Sequence, residues 1–127
     1  VYFRRRPWTR KFADAFRGLK RAIRSQQSFA VHLAVAAIVV ALAAVLRVSA
    51  GEWCLLAGAI ATVLAAEIFN SAVESLARAF GPGWNPRVRD ALDMASAAVL
   101  VAAVGAAVIG MIVFGPRLGA LVGLERW

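Results

Sequence analysis

The sequence predicts an all-α membrane protein: an N-terminal amphipathic surface helix followed by three transmembrane helices. Three observations carry this prediction. Hydrophobic residues make up 61% of the 127 residues and charged residues only 17%, whereas a soluble domain is about 45–50% apolar and about 25% charged. A chain this short has too much surface to hide so much apolar side chain in a soluble core. The apolar residues fall in three runs, each long enough to supply the ~20 helical residues that a bilayer core requires. The net charge of +8 is gathered largely at one end, which suits an anionic membrane surface. Disordered and disulfide-rich secreted classes are excluded by this composition. The lone Cys54 closes neither an internal disulfide nor a cysteine-based zinc site. A single domain over residues 1–127 accounts for the length.

The surface helix is expected over about residues 8–25. Phe12, Phe16, Leu19 and Ile23 recur at steps of four, three and four, with Arg10, Lys11, Arg17, Lys20, Arg21 and Arg24 largely between them. That spacing gives one apolar and one cationic face, as in a helix lying at a membrane interface. Pro7 precedes its first turn. The basic stretch is too long for a signal peptide and the run after it is long enough to span, so no cleavage is expected here.

The first span is expected over about residues 29–48, interrupted only by His32 and Arg47. Ser49-Ala50-Gly51 reads as a short turn. The second span, about residues 53–80, opens with Trp53 as an interfacial anchor and later acquires Glu67, Asn70 and Glu74. Gly81-Pro82-Gly83-Trp84-Asn85-Pro86 is a break. The third span, about residues 89–114, is expected to end at Gly115-Pro116, leaving Arg117–Trp127 as an interfacial tail. Its alanines and glycines permit close helix packing and carry no chemistry. Trp8, Trp84 and Trp127 fall near span ends as belt residues, and Cys54 reads as packing. Basic residues number twelve on the side of the N-terminus and second loop and three on the other. By the positive-inside rule the N-terminus is expected in the cytoplasm.

Glu67, Asn70 and Glu74 stand at i, i+3 and i+7, on one helix face, and antiparallel packing across the break would bring Asp93 toward them. Carboxylates at mid-membrane cost roughly 2.5–3.5 kcal/mol each on insertion scales, so these call for partners. Spacing leaves several readings open. Arg78, four residues after Glu74, makes a structural ion pair available. A proton relay or transport path fits as well. A third reading is a hard cation such as magnesium held by oxygen ligands beside substrate phosphates, with one carboxylate free to take a proton from a hydroxyl.

The segment Glu67-Ile68-Phe69-Asn70-Ser71-Ala72-Val73-Glu74 resembles E-hydrophobic-hydrophobic-N-[ST]-A-hydrophobic-E. Asp93-Met94-Ala95-Ser96-Ala97-Ala98-Val99-Leu100 resembles K-D-x-[GA]-[SA]-[AG]-A-V-L without its lysine. Both are signatures of the prokaryotic diacylglycerol kinase and undecaprenol kinase family, and the resemblance extends over residues 12–116 with weaker agreements at Arg17-Gly18-Leu19, Phe29–Leu33 and Glu52-Trp53. It implies a homotrimer with shared active sites in the bacterial cytoplasmic membrane, transferring the ATP γ-phosphoryl group to a lipid hydroxyl with Mg2+. Carried over by position, Glu67 resembles the general base and Glu74 the magnesium ligand, with His32 at a position where some members have a metal-assisting glutamate. Asn70 and Asp93 resemble residues that position nucleotide and metal, and Arg17 is expected near the nucleotide.

The chain departs from the pattern at four places. Leu92 stands where members usually carry the lysine before Asp93, Arg78 stands where they commonly have Asp, and Gln26-Gln27-Ser28 replaces E-x-N. His32 is the fourth, although histidine is common there in the undecaprenol-kinase branch. Arg78, Arg87 or Arg89 is the candidate to replace the missing lysine beside the nucleotide, with Arg78 singled out because it lies one turn from Glu74. His32 and Glu52-Trp53 lean toward the undecaprenol-kinase branch, whereas Ser71 and Ser96-Ala97-Ala98 lean toward the diacylglycerol-kinase branch, so undecaprenol is slightly favoured. The alternative is a catalytically inactive member acting as a membrane assembly or lipid-binding protein, a reading that Leu92 supports.

Overall fold

The structure, a computed structural model, describes residues 5–25 and 27–123. It is built from four helices: α1 (Trp8–Ser25), α2 (Gln27–Val45), α3 (Ala50–Arg78) and α4 (Pro86–Val122). The last three are long and apolar enough to cross a membrane. α1 opens on the Pro7 carbonyl, which accepts from the Arg10 and Lys11 amides, each at 3.1 Å. Its apolar row is bare: Phe12 and Phe16 are exposed, as is Trp8 with Lys11 lying over its ring at 4.5 Å. An amphipathic helix with that face uncovered is built to press it into another apolar medium.

α2 ends earlier than its apolar run suggests. Arg47 adopts a left-handed conformation at φ 51°. The amides of Arg47 and Val48 reach back to the carbonyls of Ala44 and Ala43, at 3.4 and 3.2 Å. This is the Schellman closure, made here with arginine where glycine is usual. Ser49 then caps α3: its hydroxyl accepts from the Glu52 amide at 3.2 Å, and the Glu52 carboxylate accepts from the Ser49 amide at 3.1 Å. The expected turn at residues 49–51 is therefore a capping box, and α3 begins at Ala50 rather than near Trp53. At the other loop Asn85 caps α4 by accepting from the Arg87 and Val88 amides, with Pro86 as the first helical residue. That moves the start of α4 three residues ahead of the expected Arg89.

The clearest departure is at the far end of α4. The helix does not stop at Gly115-Pro116. It runs through Pro116 to Val122 and closes on Gly123, which is left-handed at φ 78°. Proline removes one amide donor and crowds the preceding turn. Arg117 supports that turn by donating from Nη1 to the Val113 carbonyl at 3.0 Å. The same guanidinium grips both Glu52 carboxylate oxygens, with Nη2 to Oε1 at 2.6 Å. The proline is thus spanned by a two-pronged tie to the start of α3, and the expected tail is helical up to Val122. Arg117→Ala or Glu52→Gln is expected to lower the melting temperature in detergent by several degrees. The double variant should lose less than the sum, as a thermal unfolding cycle would read.

α3 packs along α4 and, less extensively, against α2, and α1 touches α2 and α3. The core lies at the Ser49 end, where Ala43, Val48, Leu56, Val113 and Phe114 are buried together with Trp53 packed against them. The backbones of α2 and α4 stay apart along their whole length, so they meet only through side chains. Most of the apolar surface of the single chain is uncovered, including Ile38, Leu100, Val101 and Met111. So large an apolar surface marks a protein embedded in lipid or in further protein. The chain is a multi-pass membrane protein.

Candidate active site

Helix length fixes the depth of the polar residues. At 1.5 Å per residue, Glu67 lies about 26 Å along α3 from Ala50, Asn70 about 30 Å and Glu74 about 36 Å. A helix perpendicular to a hydrocarbon core of about 30 Å and entering it at the Ser49 end would hold Glu67 just inside the opposite boundary and Glu74 beyond it. His32 is five residues into α2 from that same end.

Glu67 is the one buried charged side chain among the described residues, at 3% exposure. Both of its oxygens are held from α2. His32 Nε2 lies 2.9 Å from Oε1, and the Ser28 hydroxyl donates to Oε2 at 3.2 Å. An ionised carboxylate only accepts, so this contact is a hydrogen bond when Nε2 carries a proton. Ser28 and His32 are four residues apart and share one face of α2. His32 also lines an apolar groove of about 340 Å³ that runs between the three long helices past Val35, Ile60, Val63 and Ala106 to Phe114. The groove reaches His32, whose Nε2 contacts Glu67.

Asn70 and Glu74 lie further along α3. The Asn70 amide nitrogen donates to Glu74 Oε1 at 3.1 Å, and Asn70 Oδ1 is buried without a partner among the described residues. Glu74 also faces Arg78 at 3.9 Å. Glu74 and Arg78 border an open cleft of about 700 Å³ closed on its other sides by Trp84, Arg89, Leu92 and Asp93. Arg89 is 3.9 Å from Asp93 and sits over the Trp84 ring at 5.1 Å. The four residues expected as one cluster thus occupy two adjoining places. Glu67 contacts the groove residue His32, Asn70 and Glu74 follow along α3, and Asp93 is across the cleft from Glu74.

The remaining expected positions are placed as follows. Arg78 lines the cleft, as its candidacy requires. Arg17 is on the exposed side of α1, 3.3 Å from Asp14, and is not among the residues bordering the cleft. His32 is placed on Glu67. Among the described residues no three His, Cys, Asp or Glu side chains gather as a preformed metal cage. Asn70 Oδ1 and the Glu74 carboxylate are nevertheless hard oxygen donors of the kind magnesium takes, and that ion is commonly held by one or two protein carboxylates with substrate phosphates completing its shell. The sequence marked Ser28 only as part of the Gln26-Gln27-Ser28 departure and gave it no role. Its i, i+4 relation to His32 was the available signal.

An apolar groove whose lining residue His32 holds a buried carboxylate, and an open polar cleft at the end of the same helix α3, belong to one multi-pass membrane protein. The chain belongs to the prokaryotic diacylglycerol kinase family, whose model matches residues 13–114. It is a family of lipid kinases. Over 109 residues the chain is 29% identical to the undecaprenol kinase of Bacillus subtilis, covering 86% of this chain and 89% of that protein. Over 112 residues it is 30% identical to the diacylglycerol kinase of Synechocystis sp., covering 87% of this chain and 64% of that protein. Near-equal identities to two relatives named for different lipids do not choose between those lipids.

Proposed function

We propose that the protein transfers the γ-phosphoryl group of ATP to the hydroxyl of a membrane lipid, with undecaprenol favoured over diacylglycerol. The observation that carries this reading is the buried Glu67 carboxylate, held by His32 of the apolar groove and set on the same helix as Glu74 and Arg78 of an open cleft with two arginines. A lipid lying in the groove brings its hydroxyl to Glu67. One carboxylate oxygen takes the hydroxyl proton as the lipid oxygen attacks the γ-phosphorus, and the bond to the β-phosphate oxygen breaks to release ADP. Arg78 and Arg89 face the phosphates from the cleft, and Asp93 helps to position the nucleotide. Asn70 and Glu74 would hold Mg2+, which when bound offsets the phosphate charge. The groove is lined largely by small and branched aliphatic side chains, which suit the isoprenyl chain of undecaprenol.

In this reading the N-terminus and the α3–α4 loop face the cytoplasm of a bacterium, where ATP is available. The uncovered apolar faces of the spans meet lipid and two further copies in a homotrimer. α1 lies on the membrane with Arg17 toward the nucleotide. A second reading, an inactive member that binds lipid or assembles with other proteins, is favoured by Leu92, which lines the cleft without charge or donors. One experiment separates them: transfer of labelled γ-phosphate from ATP by protein in bilayers, offered undecaprenol and diacylglycerol separately. Label is expected on undecaprenol in preference to diacylglycerol. The reverse preference would overturn the choice of lipid, and no label on either would favour the inactive member.

A further inference from the structure

Glu67 is gripped in a way that its proposed role as base does not by itself require. A base needs one free lone pair and a reachable proton. Here both oxygens accept from α2, at 2.9 Å from His32 Nε2 and 3.2 Å from the Ser28 hydroxyl, and the carboxylate is shut away from solvent. Two donors from one helix face leave the carboxylate little freedom to rotate about its last bond. Each oxygen still keeps a lone pair for a further partner. His32 meanwhile lines the groove, so the group that holds the carboxylate also borders the space a lipid would enter.

We propose that His32 and Ser28 are positioning residues, which fix the Glu67 carboxylate by both oxygens so that one lone pair faces the groove mouth. The role rests on the kinase reading above. It assigns the His32 imidazole nitrogen Nε2 to the carboxylate rather than to a metal, and it needs only an N–H donor at that point. A hydrogen bond to a charged group that is lost without replacement typically costs ~1.5–3 kcal/mol, about 10–100-fold in rate when the loss falls on the transition state. Holding a reacting group in its productive orientation is a contribution of that kind.

The test uses the full chain in bilayers and has two arms. The chain contains one histidine, so nitrogen-labelled histidine reports on His32 alone. The spectrum is expected to show a proton on Nε2, and Glu67→Ala is expected to move that signal. In the second arm, His32→Leu should lower kcat about 10–100-fold with KM for lipid and ATP changed less than about 3-fold. His32→Gln, which keeps an N–H donor, should recover most of that loss, and Ser28→Ala should cost about 3–10-fold. A His32 signal indifferent to Glu67→Ala overturns the proposal. So does a His32→Leu enzyme with wild-type kcat, or a His32→Gln variant as poor as leucine. A wild-type protein that phosphorylates neither lipid overturns the kinase reading itself, which is a different result from an active wild type whose variants are unaffected.

Discussion

Glu67→Gln is expected to remove phosphoryl transfer almost entirely while leaving the protein folded. General-base catalysis contributes about 10²–10⁴-fold, so kcat should fall by about a thousandfold or more with KM for both substrates nearly unchanged. The amide is close to isosteric with the carboxylate. Its oxygen can still accept from His32, and the Ser28 hydroxyl can turn to accept where it now donates. What the amide cannot do is take a proton from a lipid hydroxyl. The buried site would also lose a formal charge just inside the hydrocarbon boundary, a change that should not weaken insertion or folding. Initial rates of label transfer, read beside thermal unfolding, separate a lost base from a lost fold. A well-folded variant that keeps more than about a tenth of wild-type kcat would place the base elsewhere.

The surface helix and the site face of α3 were legible in the sequence because each rests on local periodicity. The spacing of Phe12, Phe16, Leu19 and Ile23 gives α1 at the residues observed, and the i, i+3, i+7 spacing of Glu67, Asn70 and Glu74 gives their shared face. Helix ends were less legible, since side-chain caps set them. Ser49 and Asn85 start α3 and α4 ahead of the apolar runs, and Arg117 carries α4 past a proline by reaching a glutamate 65 residues away. Such a pairing is tertiary and leaves no local pattern. The partners of Glu67 were hidden for the same reason, although the hairpin geometry contains them. Ser28 and Glu67 lie 19 and 20 residues from Arg47 on opposite sides of the turn, and an antiparallel pair brings equidistant residues to the same level. The family resemblance suggested His32 for a metal; the packing of α2 on α3 sets it 2.9 Å from Glu67.

The second large effect is expected at Glu74, and its signature differs from that at Glu67. Arg78 and Arg89 face the cleft, each 3.9 Å from a carboxylate, Glu74 and Asp93. Those four formal charges cancel, and Leu92 adds none. In the proposed reading ATP binds there as a polyanion and needs its own cation, to which Glu74 and Asn70 Oδ1 would offer oxygens. Glu74→Gln should lower kcat/KM for ATP about 100-fold, and raising the magnesium concentration should recover part of that loss. It also leaves the cleft one unit more positive. Nucleotide binding measured in a chelator should then be unchanged or tighter than wild type, even as turnover collapses. Glu67→Gln should show neither the recovery nor the tighter chelator-phase binding, because its defect is a missing proton acceptor. If Glu74→Gln instead lost activity with an unaltered magnesium dependence and weaker binding in both conditions, Glu74 would be holding the α3–α4 end together rather than holding a cation.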